Sequence, residues 1–248
     1  MASPKGQTVA RNKKKIFLSG PMNSTSDING QLAVSAVLKP KFNVYLAPVD
    51  GVEIRTLIEL LANPTVLSEP FLRAALLVQQ IGWAHEIYQL LSSDALVLNM
   101  DGRVPDEGAV VEAATAYTAG KPVLIYKDMA VTFWDFFDNP MVAALDGTWR
   151  VIADVRKLPG AITAALANAP ATSGFVYAPP PNIDAAYQFG GWVSANLKPL
   201  MAALTRAATD LPAALRDLEP DMGSMQSFAE ALIAGTKART AARRAFSS

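Results

Sequence analysis

The stretch ALVLNMDGRVPDEGAVVEAATAYTAGKPVLIY, residues 95–126, places a helical pattern between two apolar runs. Residues 95–100 and 121–128 each contain a short continuous apolar run, ALVL and PVLIY, as strands buried on both faces do. The segment 107–120 between them reads as a helix that closes at Gly120, a residue common just past helix ends. Strand, helix and strand in this order predict a parallel sheet of an α/β fold.

The same alternation extends on both sides of this stretch. Further strands are predicted at 15–22, 42–48 and 149–155, and further helices at 51–62, 70–94 and 158–169. Residues 27–39 fit a helix only weakly. The pattern predicts a Rossmann-like or flavodoxin-like parallel sheet flanked by helices. In such sheets ligands bind beyond the carboxyl ends of the strands, and residues 100–112 lie at such an end.

Composition shifts divide the chain into four predicted parts. Residues 1–12 are a disordered lead-in, 13–176 the α/β domain, 177–184 a proline-rich linker, and 185–248 a helical extension rich in alanine. The extension has breaks at prolines and a basic end, which suits the negative pole of a helix.

Composition also excludes several classes of function. The 248 residues carry 22 basic and 22 acidic side chains, so net charge gives no argument for a nucleic-acid binder. There is no cysteine and a single histidine, His85, which excludes thiolate chemistry and multi-histidine metal sites within one chain. No apolar run reaches the roughly 18–20 residues that span a membrane. A cytoplasmic protein without metal, cofactor or membrane contact is expected.

Four carboxylates cluster between the two apolar runs: Asp101, Asp106, Glu107 and Glu112. Acidic residues favour the first turn of a helix, where the dipole is positive, so Asp106 and Glu107 need no further explanation. Glu112 lies about a turn inside the helix, among small apolar neighbours. It is either exposed or presented to a ligand, and residue physics leaves both interpretations open.

Residues 98–126 resemble the signature of nucleoside 2-deoxyribosyltransferases: a strand, an Asp-Gly loop, Asp-x-Gly-x-x-x-Glu, a small-residue helix and Gly-Lys-Pro. Three further pieces of the chain lie in the same order as in the family, namely IFLSGPM (16–22), WAHEIYQLLSSDALVLNM (83–100) and DNPMV (138–142). The resemblance covers roughly residues 15–155 and is specific through the combination of motifs. The region after Pro179 has no counterpart.

The resemblance implies a role for each matching residue. Glu112 matches the catalytic nucleophile, Asp106 the carboxylate that binds the sugar hydroxyls, and Glu86 the acidic residue facing the base. Asn139 matches the amide that completes the sugar site, in the family often supplied by a neighbouring subunit. Phe17 departs from the family, because some members have a tyrosine there, close to the nucleophile. The implied substrate-binding set is Phe17, Gly20, Asp101, Gly108, Asn139 and Met141.

This chemistry agrees with a site built from carboxylates. Breaking an N-glycosidic bond builds positive charge at C1′, which a carboxylate stabilises and captures, while a second group helps the base depart. The resemblance implies cleavage of 2′-deoxynucleosides through a covalent glutamyl-glycosyl intermediate, with transfer to a base or to water. The implied partners are deoxynucleosides and nucleobases, and the implied assembly is a homo-oligomer.

Two alternatives stay open. One is hydrolysis of 2′-deoxynucleoside 5′-monophosphates, which needs a phosphate pocket, for which only Ser19 and Arg103 are nearby candidates. The other is a non-catalytic nucleotide-binding module with a helical partner-binding tail, against which the intact set Asp106, Glu112 and Asn139 argues. Purine or pyrimidine preference is not fixed by the sequence.

Overall fold

The structure is a computed structural model that describes residues 13–52, 69–101, 106–128, 139–169 and 179–206. Four predictions therefore lie outside the described residues, in whole or in large part. They are the lead-in 1–12, the helix 51–62, the place of Arg103, and the extension beyond residue 206.

The sheet has five strands in the order β2-β1-β3-β4-β5 and confirms the predicted fold class. The strands are β1 Lys15–Ser19, β2 Asn43–Leu46, β3 Ala95–Asn99, β4 Val123–Tyr126 and β5 Val151–Ile152. Strand β3 pairs in parallel with β1 and β4, and β4 pairs in parallel with β5. Every residue of β3 and β4 is buried, which explains why both read as continuous apolar runs rather than alternating ones.

Several strands are shorter than their predicted segments. Strand β1 ends at Ser19 because the Gly20-Pro21 turn follows it. Strand β2 ends at Leu46, where Ala47–Asp50 forms a single helical turn, α2, whose Asp50 carboxylate accepts a hydrogen bond from the Leu46 N–H at 2.9 Å. Strand β5 has only two of the seven residues predicted at 149–155.

Helix α1, Thr25–Leu38, shows why its sequence signal is weak. Its buried positions are Gln31, Val34, Ser35 and Leu38, which share one helical face, but two of the four are polar. The Gln31 amide and the Ser35 hydroxyl find no hydrogen-bond partner among the described residues. The helix begins at a cap instead, since the Ser24 hydroxyl accepts a hydrogen bond from the Asp27 N–H at 3.1 Å.

The remaining helices are given in chain order. They are α3 Glu69–Leu91, α4 Glu107–Thr118, α5 Pro140–Ala143, α6 Leu158–Asn168 and α7 Pro181–Arg206. Two compact units contain them. The sheet unit comprises the described residues of 13–45, 93–113 and 122–169, and the helix unit those of 46–92, 114–121 and 179–206.

In the helix unit α3 packs along α7. The two backbones come close at Gly190, where a Cβ would lie 1.9 Å from the Ala84 carbonyl oxygen. The Gln89 amide nitrogen lies 2.9 Å from both His85 Nε2 and Ser194 Oγ. Helix α7 starts at Pro181, inside the segment predicted as a linker; proline suits a first helical turn. Within the described residues, no helix combines the length and apolarity needed to cross a membrane.

In the sheet unit Gly20 follows β1 with a φ of +156°, a conformation that L side chains rarely adopt. A Cβ at this position would lie 2.0 Å from Gln31 Nε2 and 2.7 Å from the Asn99 carbonyl oxygen. The Gln31 amide could move aside, but the carbonyl belongs to the end of β3 and could not. The turn after β1 therefore requires glycine.

Replacing Gly20 with alanine should lower the free energy of unfolding by about 1–3 kcal/mol, the range for overpacking a close-packed interior. Gly30 is the matched control, because it lies inside α1 and a Cβ there meets nothing within 4 Å. Gly30→Ala should raise the free energy by about 0.5–1 kcal/mol through helix propensity. Urea denaturation of both variants measures the difference; equal effects would contradict the close approach at Gly20.

Candidate active site

The carboxyl ends of β1 and β3 form the topological switch point of the sheet. From β1 the chain proceeds to β2 on one side, and from β3 it proceeds to β4 on the other. Open parallel sheets bind ligands in the crevice at this point. Ser19 ends β1, Asn99 ends β3, and α4 follows β3 along the chain. The candidate site is therefore built on the ends of two central strands and the start of one helix.

Glu112 is held at this point by a hydroxyl from β1. Ser19 Oγ donates a hydrogen bond to Glu112 Oε2 at 2.5 Å, a length typical of an O–H donor on an ionised carboxylate. Ser19 is buried and Glu112 is half-buried. The Ala109 carbonyl oxygen also lies 3.5 Å from Ser19 Oγ, but the hydroxyl has one hydrogen and the Glu112 oxygen is much closer. Glu112 is therefore not fully exposed, which was one of the two interpretations of its position in the sequence.

Asp106 caps the helix that carries Glu112. Its Oδ1 accepts a hydrogen bond from the Ala109 N–H at 2.9 Å, and its Oδ2 accepts one from Asn23 Nδ2 at 3.2 Å. An ionised carboxylate has about four acceptor positions, and these two hydrogen bonds from the described residues occupy two of them. Asn23 is exposed on the loop after β1. The cap explains why an acidic residue begins α4 and is compatible with a second role toward a ligand.

Gly108 fits tightly behind the capping carboxylate. A Cβ at this position would lie 3.0 Å from Asp106 Oδ1, closer than about nine in ten real Cβ contacts. Glycine two residues after Asp106 therefore keeps the carboxylate in its capping position. This gives the Asp-x-Gly spacing a local physical reason, whereas the substrate-binding role implied for Gly108 stays a prediction.

Asp101 organises the ends of β3 and β4. Its N–H donates to Asn99 Oδ1 at 2.9 Å, and its Oδ1 accepts from the Asp128 N–H at 2.6 Å. The Tyr126 side chain also hydrogen-bonds the Asp101 carboxylate. Burial and, after it, the negative charges of Asp101 and Asp128 raise the pKa of Tyr126 to about 12. Tyr126 is therefore a protonated donor at neutral pH, and Asp101 links the end of β3 to the end of β4.

Phe17 is part of the core and does not face the solvent. Its side chain is buried, and its ring centroid lies 5.1 Å from that of Tyr45. Ser19 is two residues further along the strand, and side chains at that spacing point to the same face. Phe17 has no hydroxyl, and the hydroxyl that contacts Glu112 comes from Ser19 instead.

Asn139 and Met141 lie at the start of the short helix α5, after β4. Asn139 caps it, because its Oδ1 accepts a hydrogen bond from the Met141 N–H at 3.0 Å. Asn139 is exposed, and the Met141 side chain is 78% exposed. Glu86 is half-buried on α3 and belongs to the helix unit. The roles implied for Asn139, Met141 and Glu86 stay predictions.

Sequence reasoning missed three contributors to the site. Asn23 contacts Asp106, Tyr126 contacts Asp101, and Ser19 was considered only as a phosphate ligand. Ser19 and Tyr126 each carry a usable signal, since both are polar residues at the carboxyl end of an apolar strand. Asn23 carries no such signal, because its position depends on how the loop after Gly20 folds.

The part of the chain that the structure describes contains no candidate metal site. No group of three or more acidic or histidine side chains there could hold a metal ion. The acidic residues near β3 are instead engaged by backbone and side-chain donors. The expectation of a site without metal or cofactor stays a prediction.

The sheet order and the site at its switch point define the chain as a Rossmann-like α/β protein. No protein-family model and no curated protein matches the sequence. A conserved protein from Enterococcus faecalis V583 is similar in structure, with 18% identity, a TM-score of 0.42, and 61% of this chain and 98% of that chain covered. A 2-deoxyribosyltransferase from Bacillus psychrosaccharolyticus is similar with 15% identity, a TM-score of 0.43, and 61% and 95% covered. At these values neither structure carries an argument about activity.

The raised pKa of Tyr126 predicts a pH dependence of stability. The unfolded side chain ionises near 10.0 and the folded one near 12, so its contribution is complete below the lower value and is lost as pH rises through the higher. Relative to Tyr126→Phe, the wild type should lose about 2–3 kcal/mol of unfolding free energy across this window. Denaturant titrations of both proteins measure it. Parallel pH profiles for the two would contradict the assignment.

Proposed function

We infer that the protein cleaves the N-glycosidic bond of 2′-deoxynucleosides and transfers the deoxyribosyl group to another base or to water. The observation that carries the proposal is the Glu112 carboxylate, fixed by Ser19 at 2.5 Å at the switch point of the sheet. Asp106 lies at the start of the same helix and keeps acceptor capacity for sugar hydroxyls. The motif resemblance of residues 98–126 supports the same reaction.

The proposed reaction has two displacement steps at C1′. A Glu112 carboxylate oxygen attacks C1′ while the C1′–N bond breaks, and the base departs with the bonding electrons, helped by a proton from Glu86. The product is a glycosyl ester on Glu112. A nitrogen of an incoming base, or water, then attacks C1′, the ester C1′–O bond breaks, and Glu112 becomes a carboxylate again. The proton of the incoming nucleophile returns to Glu86.

Asp106 supplies binding rather than bond making in this proposal. Its carboxylate accepts hydrogen bonds from the sugar hydroxyls in place of, or beside, the exposed Asn23 amide. Because the same carboxylate caps α4, sugar recognition and the position of Glu112 depend on one helix start. A sugar held at Asp106 is thereby presented to the helix that carries the nucleophile.

No observation favours either alternative, hydrolysis of deoxynucleoside monophosphates or a non-catalytic nucleotide-binding module. The Ser19 hydroxyl donates to Glu112, which leaves it poorly placed to serve a phosphate group. A non-catalytic module would have no need of a carboxylate fixed by a buried hydroxyl. The deoxynucleoside reaction is therefore preferred over both.

A homo-oligomer belongs to the proposal as well. Asn139 and Met141 are exposed at the start of α5, which is compatible with contact to a neighbouring subunit. In the proposed assembly Asn139 completes the sugar site of that neighbour. A symmetric dimer is the commonest arrangement that makes such a shared site possible.

Glu112→Gln should abolish turnover and keep the fold, because glutamine preserves size and the acceptor for Ser19 but cannot form a stable glycosyl ester. The measurement is chromatographic detection of free or exchanged base from a deoxynucleoside, with and without an acceptor base. A 2-deoxy-2-fluoro nucleoside should label Glu112 in the wild type, as seen by mass spectrometry of peptides. Turnover of the glutamine variant near that of the wild type would exclude the covalent mechanism.

Asp106→Asn should lower kcat/KM by about ten- to a hundred-fold, because a charge-assisted acceptor for the sugar hydroxyls is lost. Asparagine caps helices as well as aspartate does, so α4 should begin normally. Glu107→Gln is the matched control, since Glu107 is the adjacent exposed carboxylate, and its kcat/KM should stay within about twofold of the wild type. Equal losses in both variants would remove Asp106 from the sugar site.

A further inference from the structure

We propose that Ser19 is the positioning residue of the nucleophile: its hydroxyl fixes the Glu112 carboxylate for attack on C1′. This rests on the proposed function, because it assigns Ser19 to that same reaction. The family resemblance does not supply the role, since the only hydroxyl it implies near the nucleophile belongs to position 17, which is phenylalanine here. The contact between Ser19 Oγ and Glu112 Oε2 at 2.5 Å supplies it instead.

The surroundings of Ser19 make this hydrogen bond persistent. Ser19 is 3% exposed, so water has little access to its hydroxyl. The alternative acceptor, the Ala109 carbonyl oxygen, is 3.5 Å away and uncharged. A charged acceptor at 2.5 Å prevails over a neutral one at that distance. The hydroxyl therefore stays directed at Glu112.

The two ends of the hydrogen bond differ in rigidity. Ser19 has a short side chain on β1, which lies between β2 and β3 in the sheet. Glu112 has three side-chain torsions, of which the last is broad, so its carboxylate needs an external anchor to keep one orientation. Strand β1 and helix α4 are joined by the bond across 93 positions of sequence. The strand thereby fixes the carboxylate against the helix.

The hydrogen bond has two opposing effects on the reaction. A donor draws electron density from an attacking oxygen, which weakens it as a nucleophile, and it fixes the geometry of attack. Misplacing a reacting group by about 1 Å lowers rates by about a hundred-fold, which exceeds the expected effect of one hydrogen bond on nucleophilicity. Positioning therefore prevails, and loss of the hydroxyl should slow the chemical step.

A purely structural role is the competing explanation, and Ser35 provides the control for it. Ser35 is a second buried serine of the sheet unit, 1% exposed, whose hydroxyl has no hydrogen-bond partner among the described residues. Ser35→Ala removes the same atom from a similar environment without touching Glu112. A general effect of deleting a buried hydroxyl would appear in both alanine variants, whereas a positioning effect would appear only at Ser19.

The test compares Ser19→Thr with Ser19→Val, which have nearly the same shape and differ in the hydroxyl. Both branched side chains suit a strand. With a deoxynucleoside and an acceptor base, kcat of the threonine variant should exceed that of the valine variant by about ten-fold or more, with KM within about threefold. Ser19→Ala should lose kcat by about ten- to a hundred-fold, and Ser35→Ala should keep it within about twofold.

Equal kcat values for the threonine and valine variants, or a Ser19→Ala variant as active as the wild type, would overturn the positioning role. If the threonine and valine variants both fail to fold, as melting temperatures will show, the comparison of Ser19→Ala with Ser35→Ala decides alone.

An unfolding cycle of Ser19→Ala and Glu112→Ala, singly and together, tests the contact without activity: non-additive shifts of the denaturation midpoint are expected. Additive shifts would refute the contact, while an inactive wild type with non-additive shifts would refute only the proposed function.

Discussion

The pairing of β3 with β1 on one side and with β4 on the other is the constraint on which the site depends. The register places Leu98 beside Ser19 and Asn99 beside Tyr126, so the last residues of three strands meet at one edge. Because parallel strands all end at the same edge, polar residues that follow apolar runs are brought together there without any special arrangement.

Helix α4 adds two carboxylates to this edge. Its cap residue, Asp106, and the residue about a turn and a half later, Glu112, each accept a hydrogen bond from the segment at the end of β1. One donor, Asn23, is exposed, and the other, Ser19, is buried. The two carboxylates therefore differ in the exposure of these donors: a ligand has access to the partner of Asp106, whereas the partner of Glu112 is buried. This difference suits the proposed roles of Asp106 in binding and of Glu112 as nucleophile.

Polar residues inside the sheet unit explain where sequence patterns were weak. Helix α1 buries Gln31 and Ser35, so its apolar face is interrupted and its periodicity gives little signal. Strand β5 is short, and its Val151 is exposed, so its pattern gives little guidance to its length. Gly20, by contrast, gives a clear sequence signal for the turn after β1. Only the structure shows why glycine is required there, namely the close approach of the Asn99 carbonyl oxygen.

The sequence by itself determined the α/β class, the strands β1, β3 and β4, and the cluster of carboxylates at the end of β3. These follow from local patterns, since continuous apolar runs and helix caps are properties of neighbouring residues. Only the tertiary structure decided which hydroxyl meets Glu112. That contact joins residues 93 positions apart, and it depends on strand order and register, which no local pattern encodes. The same holds for Tyr126 and Asp101, which come together only because β3 and β4 are neighbours in the sheet.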